Sequence, residues 1–247
     1  MMTIKAMTSV VALVACSQAP LRAGQGFDID KTKDDVVIFP PRRVGPAVTG
    51  APYSAELVIE ERNGSINSPT VRALVYRNSE GKTRVDGLAG HGNIAEIADP
   101  SRGASDILDL QNHVAHRMFL EPLVFIRTGA GLRQSTERFL LMSAGISLHS
   151  LGPSARGENI GAAIIDDIPV EGSEEKRTWP SQATVSFESW YAPSLKITIL
   201  FRILDSHNGE TTIKLTNIKP GEPPPALFEI PAAYRLAEEK SAFTIAR

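Results

Sequence analysis

Residues 195–218 read LKITILFRILDSHNGETTIKLTNI and contain two strand patterns around one turn pattern. The first part, 195–204, is rich in β-branched and aromatic side chains, which favour strands. In the second part, 210–218, Thr211, Ile213, Leu215 and Asn217 alternate with their neighbours and share one face. Asp, Asn and Gly residues lie between the two parts, as in a tight turn. The stretch therefore predicts a β-hairpin with one buried face.

The same alternation continues towards the N-terminus. In residues 53–60, Ala55, Leu57 and Ile59 alternate with Glu56, Val58 and Glu60. Residues 71–76 and 82–85 flank Asn-Ser-Glu-Gly at 78–81, which predicts a second hairpin. These patterns favour a mainly β, antiparallel fold. Further strands are predicted at 93–98, 106–108, 114–118, 162–170 and 184–191.

A few segments depart from the strand pattern. Residues 132–142, LRQSTERFLLM, predict a short amphipathic helix. The proline-rich stretch 220–225 excludes helix and central strand. Residues 237–247 are expected to form a frayed tail or a second short helix. Residues 53–236 are therefore predicted to be one antiparallel β domain.

The N-terminus has the pattern of an export signal. Lys5 precedes an uncharged stretch, 6–15, which is too short to span a bilayer, since that takes about 20 residues. Residues 1–15 are therefore interpreted as a signal peptide, and a buried N-terminal strand or helix is the alternative. Residues 16–52 contain Gly, Pro and mixed charges, which predict a flexible tether with one short strand at 36–39.

The end of the apolar stretch, Leu13-Val14-Ala15-Cys16, resembles the lipobox of bacterial lipoproteins. The resemblance implies that Cys16 is the lipid attachment site and the mature N-terminus, so that a lipid anchor holds the protein on a membrane surface. Cleavage of a plain signal peptide after Ala19 or Ala23 is the alternative. The predicted location is periplasmic, with anchoring at the outer membrane as one form.

Composition and motifs argue against several classes of function. The formal net charge is −2 and no segment is strongly basic, so nucleic acid is not an expected partner. His113 and His116 form the closest histidine pair, but a strand would place them on opposite faces, so no metal site is predicted. Neither a Gly-x-Ser-x-Gly motif nor a phosphate-binding loop occurs. The sequence predicts no catalytic residue, no cofactor and no enzyme.

Several stretches resemble a known group of proteins. They are YRNSEGKTR at 76–84, WYAPSL at 190–195, ETTIKLTNI at 210–218 and LFEIPA at 227–232. Together they resemble uncharacterised exported bacterial proteins, and the C-terminal pattern is similar to the lipoprotein-sorting carrier fold. The resemblance implies a strongly curved, incompletely closed antiparallel sheet with one or two short helices, and an apolar cavity through which such proteins bind acyl chains or act as periplasmic sensors.

Three aromatic residues are candidates for such a cavity. Trp190, Tyr191 and Phe201 lie on neighbouring predicted strands, where they either line a ligand site or pack in the core. The predicted function is a non-catalytic envelope protein that binds an apolar ligand or a lipidated partner. The alternative is a structural or interaction protein with a solid core. The oligomeric state stays open.

Overall fold

The structure is a computed structural model of the whole chain. It describes residues 36–39, 43–44, 47–63, 66–67, 71–87, 92–119, 121–122, 157–178, 184–206 and 209–246. The predicted signal peptide, Cys16 and the helix predicted at 132–142 lie outside the described residues. So do His91, His149 and His207.

Strands dominate the described part of the chain. In order they are β1 (Val36–Phe39), β2 (Arg43–Val44), β3 (Tyr53–Asn63), β4 (Ile66–Asn67), β5 (Val71–Arg77), β6 (Thr83–Asp86), β7 (Ile94–Asp99), β8 (Ala104–Asp109), β9 (Val114–Phe119), β10 (Glu121–Pro122), β11 (Glu158–Ile165), β12 (Ile168–Thr178), β13 (Thr184–Ala192), β14 (Ile197–Asp205), β15 (Gly209–Pro220), β16 (Arg235–Glu239) and β17 (Phe243–Ala246).

One large sheet organises these strands. Its order is β11-β12-β13-β14-β15-β3-β5-β6-β7-β8-β9-β16, with β4 paired to β3 off this path. Neighbours are antiparallel except β16, which runs parallel to β9. β11 and β16 do not pair with each other, so the sheet is open. The predicted mainly β fold with an incompletely closed antiparallel sheet is confirmed.

Turn chemistry explains the predicted hairpin between β5 and β6. Gly81 has φ +87, and its N–H donates to the carbonyl of Asn78 at 3.1 Å. The Asn78 side chain also accepts from the N–H of Lys82 at 2.8 Å. Glycine is needed at position 81 because positive φ strains residues that carry a Cβ.

The prediction of one strand over 162–170 is wrong, because two strands and a turn occupy this stretch. Asp166 and Asp167 have φ of 51° and 62°, and they form a two-residue turn between β11 and β12. The Asp166 carboxylate also accepts a 2.6 Å hydrogen bond from the N–H of Ile218 in β15. Aspartate tolerates this left-handed conformation better than most residues, so it replaces the glycine that usually marks such a turn.

The main core lies on one face of the sheet, which we call the inner face. Phe201, Ile213, Leu57, Val75 and Val85 are buried there on five strands. The strand registers from β13 to β9 keep such residues on a common face, because residues directly opposite each other in a ladder share a face. Ile245 of β17 and the β11–β12 hairpin also pack on this core.

The sheet bears a second, smaller core on its other face, the outer face, at β7–β9. Ala95, Ile97, Leu108 and Ala115 are buried there. The chain between β15 and β16 covers them: it contains a 3-10 helix, Pro225–Phe228, and contributes Ile230 and Tyr234. β7 is therefore buried on both faces, which explains its continuous burial.

The C-terminal segment corrects another expectation. A frayed or helical tail was predicted over 237–247, but β16 pairs with β9 and β17 pairs with β1. The short strand predicted at 36–39 is confirmed as β1. β16 and β17 form because they pair with strands that are distant in sequence, and the local residue pattern says little about such pairing.

Candidate functional site

The inner face at β13, β14 and β15 holds the predicted residue Phe201. It is 7% exposed and lies opposite Ser189 in β13 and Ile213 in β15. Ile213 lies in turn opposite Ile59 of β3. These neighbours place Phe201 on a continuous apolar surface rather than at an isolated position.

The margin of this surface is only half-buried. Phe187, Ile203 and Ile59 are partly buried and pack against the main core. Phe187 lies opposite Ile203, and its ring centroid is 6.3 Å from that of Phe201. We call these three partly buried residues the rim.

Trp190 packs against the same core but at a bend. It lies opposite Gly172, where a Cβ atom would come within 2.7 Å of the indole ring and of Ile160. Its Nε1 donates to Glu188 at 2.5 Å. A glycine opposite a large aromatic leaves room for the ring to lie flat on the neighbouring backbone.

Tyr191 is half-buried, and it lies close to a buried cation. Burial raises the pKa of Tyr191, while the charge of Arg77 acts in the opposite direction. The structure therefore brings Trp190 and Phe201 to one core and places Tyr191 beside Arg77. Ligand contact by the three predicted residues stays a prediction.

Arg77 itself is fully buried at the end of β5. Its Nε and Nη2 donate to the carbonyl of Ala51 at 3.0 and 2.7 Å, and Nη2 also donates to the carbonyl of Leu195. The guanidinium lies 4.9 Å from the ring centroid of Tyr53. Burial lowers the pKa of Arg77, because it disfavours the charged form.

These contacts reveal how strongly the sheet curves. Leu195 lies in the turn between β13 and β14, and two strands, β15 and β3, separate β14 from β5 in the sheet. Arg77 nevertheless reaches that turn directly. Lys196, in the same turn, donates to the carbonyl of Thr49 at 3.0 Å. The sheet is thus curved tightly enough at this end for Arg77 of β5 to reach the β13–β14 turn across two intervening strands.

A second polar group lies on the inner face. Glu96 of β7 is buried between Val85 and Ile107, and it accepts a 2.6 Å hydrogen bond from the hydroxyl of Ser105. Sequence reasoning missed both Arg77 and Glu96. The signal was present: each continues the period-two series of its strand on the buried side.

The outer face at β13–β15, β3 and β5 is charged instead. Arg72 pairs with Glu56, and Lys214 pairs with Glu60 at 3.2 Å. The hydrogen bond from Arg72 holds the pKa of Glu56 below its ordinary value. Arg202 extends the pattern to Glu188 at 3.5 Å. The sheet is therefore apolar on one side and ionic on the other over this region.

An open depression of about 500 Å³ lies beyond the ends of these strands. Ser186, Leu204, Glu210 and Arg62 form one cross-strand row along it. This depression does not coincide with the predicted aromatic residues.

The two histidines lie apart in different surroundings. His113 lies in the β8–β9 turn with φ 51°, and its ring meets Tyr234 edge-on at 5.3 Å. His116 is largely buried: its Nδ1 lies 2.7 Å from Glu239, and its ring stacks on Phe243 at 4.6 Å. The parallel addition of β16 covers it. In the described part of the chain, no cluster of potential metal ligands forms.

An open, strongly curved antiparallel sheet with one apolar face is the arrangement expected from the resemblance to lipoprotein-sorting carriers. Members of that superfamily are among the similar solved structures. None of the helices in the described residues is long and apolar enough to cross a bilayer.

No protein-family model matches the sequence, and no curated protein matches it.

Three solved structures illustrate the similarity. An uncharacterised conserved protein from Thermus thermophilus has 10% identity and a TM-score of 0.43, over 76% of this chain and 90% of that one. A LolA superfamily protein from Nitrosomonas europaea has 10% identity and a TM-score of 0.35, over 74% of this chain and 92% of that one. The matched chain of the Pseudomonas aeruginosa MucA/MucB complex has 10% identity and a TM-score of 0.37, over 76% of this chain and 58% of that one. At TM-scores below 0.5, these likenesses add nothing about function.

Proposed function

We propose that the protein is a non-catalytic protein of the bacterial cell envelope that binds an apolar ligand, or the acyl chain of a lipidated partner, on the inner face of its sheet. The observation that carries this proposal is the asymmetry of the sheet. Apolar side chains run along the inner face from β13 to β9, while ion pairs cover the outer face at β13–β15, β3 and β5. Burying apolar ligand surface contributes about 25 cal/mol per Å², so the apolar face is the favourable one.

The rim is the proposed entrance. Phe187, Ile203 and Ile59 are half-buried, so an acyl chain can displace solvent there without breaking the tightly packed part of the core. Phe201 lies directly below, and Tyr191 is proposed to contact the ligand from β13. Trp190 donates to Glu188, which pairs with Arg202 on the outer face, so its ligand contact is proposed only at the β-bulge beside Tyr191, where it packs against the main core. Aromatic and branched side chains around a few polar groups are typical of apolar ligand sites.

A fluorescently labelled palmitate tests this proposal by equilibrium titration. We expect saturable binding and, for Phe187→Ala, an affinity about tenfold weaker, because truncation of a contacting aromatic costs more than about 1 kcal/mol. Leu74→Ala is the matched control: Leu74 is 49% exposed on the outer face beside Glu56 and should leave binding unchanged. Absence of saturable binding by the folded protein, or an equal loss in both variants, contradicts the proposal.

Export and anchoring are part of the same proposal. A signal peptide at residues 1–15 and a lipid on Cys16 would hold the domain at a membrane surface facing the periplasm. Intact mass spectrometry of protein from native membranes should find a diacylglyceryl-modified chain that begins at Cys16. An unmodified chain that begins after Ala19 or Ala23 would replace the anchored form by a free periplasmic one.

A second candidate is a structural or interaction protein with a solid interior. Residues such as Leu57, Ile197 and Ile199 are at most 3% exposed, and the depression near Leu204 lies away from them. Tight packing of this kind suits a domain that meets other envelope proteins through its surface. A folded protein that binds no palmitate probe would favour this candidate.

A further inference from the structure

The two edges of the large sheet differ in chemistry. The β16 edge, Arg235–Glu239, carries three charged residues in five, namely Arg235, Glu238 and Glu239. The β11 edge carries no charge from Asn159 to Ile165. Most of its side chains are exposed, and Ile164 is 74% exposed.

An uncharged, apolar edge strand is a template for another strand. The outward N–H and C=O groups of an edge strand offer a new ladder to another strand, and proteins normally protect such edges with charges, proline or a covering segment. Within the described residues, β11 pairs only with β12. The charges on β16 follow the protective pattern, and β11 departs from it.

We propose that β11 is a homodimer interface, in which it pairs antiparallel with β11 of a second copy about a two-fold axis through Ala163. The pairing joins two open sheets into one continuous sheet. A two-fold interface requires a self-complementary surface, and an edge strand whose residues 159–165 are uncharged satisfies that requirement.

The backbone geometry fixes which groups are available. The two-residue turn at Asp166-Asp167 makes Ile165 and Ile168 the closing pair, which exchanges both ladder hydrogen bonds. Because bonding alternates along an antiparallel strand, the N–H and C=O of Ala162 and Ile164 point away from β12. An axis through Ala163 sets Ala162 of one copy opposite Ile164 of the other, so these four residues supply four new hydrogen bonds.

The positions of the charged residues favour this register and favour a second copy of the chain as the partner of β11. With the axis at Ala163, Asp166 meets the uncharged Ile160 of the second copy. Moving the axis to Ala162 would set Glu158 opposite Asp166, and like charges directly opposite are destabilising. The bulge at Ile160 also interrupts the ladder on that side. Five regular edge residues form a small interface, so the dimer should be weak and concentration-dependent.

Sedimentation velocity of the full chain at rising concentration tests the inference. The wild type should show a reversible monomer–dimer equilibrium. Ile164→Lys and Ala162→Glu should each weaken it by about tenfold, because the axis places every substitution in the interface twice. Ala162→Glu combined with Ile164→Lys should restore the dimer, since each new cation then faces a new anion of the second copy.

Leu236→Lys, on the opposite edge, is the matched control and should leave the equilibrium unchanged. Thermal melting of every variant checks that the monomer stays folded. A wild type that remains monomeric throughout overturns the inference. So does a double variant that stays as weak as the single ones, and so does a Leu236→Lys variant that dissociates the dimer.

Discussion

Replacing Arg77 by methionine should destabilise the protein strongly, because this side chain ties distant parts of the curved sheet together. The guanidinium donates three hydrogen bonds to the carbonyls of Ala51 and Leu195, and none of it is exposed. Hydrogen bonds to charged groups contribute about 1.5–3 kcal/mol each, and relief of the buried charge offsets part of their loss. We expect the free energy of unfolding to fall by about 3 kcal/mol, which is a large share of the stability of a typical domain.

Urea denaturation followed by circular dichroism measures this change. Arg72→Met is the matched control on the same strand: its side chain is mostly exposed and pairs with Glu56 on the outer face. An exposed ion pair of this kind contributes less than about 1 kcal/mol. A loss below about 0.5 kcal/mol for Arg77→Met, or equal losses for the two variants, would refute the role assigned to Arg77 in holding the curvature.

Three further predictions concern local features. Gly172→Ala should lower the free energy of unfolding by about 1–3 kcal/mol, since its Cβ would overlap an indole carbon at 2.7 Å. Gly92→Ala should be neutral in the same urea assay, because a Cβ at that position meets open space. Asp166→Ala should cost about 2 kcal/mol in thermal unfolding, because it loses a hydrogen bond and strains a positive φ, and Asp166→Asn should retain most of the stability. The pKa of Glu56 is lower in the folded state than in the unfolded state. The stabilising effect of this carboxylate is therefore fully present above its unfolded-state pKa, and it is lost as the pH falls through its folded-state pKa. Glu56→Gln should flatten stability against pH in that acidic window, and an unchanged slope would contradict this.

Turn residues explain why much of the sheet was predictable. Asn78 and Gly81 mark the β5–β6 hairpin by residue type, and both flanking strands alternate cleanly. The Asp166-Asp167 turn was missed because apolar residues continue on both sides without a glycine between them. Two adjacent aspartates are turn-type residues, but the apolar run on both sides outweighed that signal, so two strands were interpreted as one.

Other features depend on pairing across the chain. β16 has a weak alternation pattern, and its place beside β9 is decided by contacts such as that between His116 and Glu239. Phe201 and Trp190 pack on the main core, as in the core-packing alternative, and their contact with a ligand stays a prediction. The period-two series of β5 marks Arg77 as a buried position, but its partners are backbone carbonyls far away in sequence, which no local motif encodes.

Isotope-labelled isoleucine methyl groups offer the most direct test of binding on the inner face. Adding palmitate to the protein should shift the methyl signals of Ile59 and Ile203 at the rim, in proportion to occupancy. The methyl signal of Ile164, on the exposed edge strand, should stay in place. Shifts confined to Ile164, or no shifts at saturating palmitate, would contradict binding on the inner face.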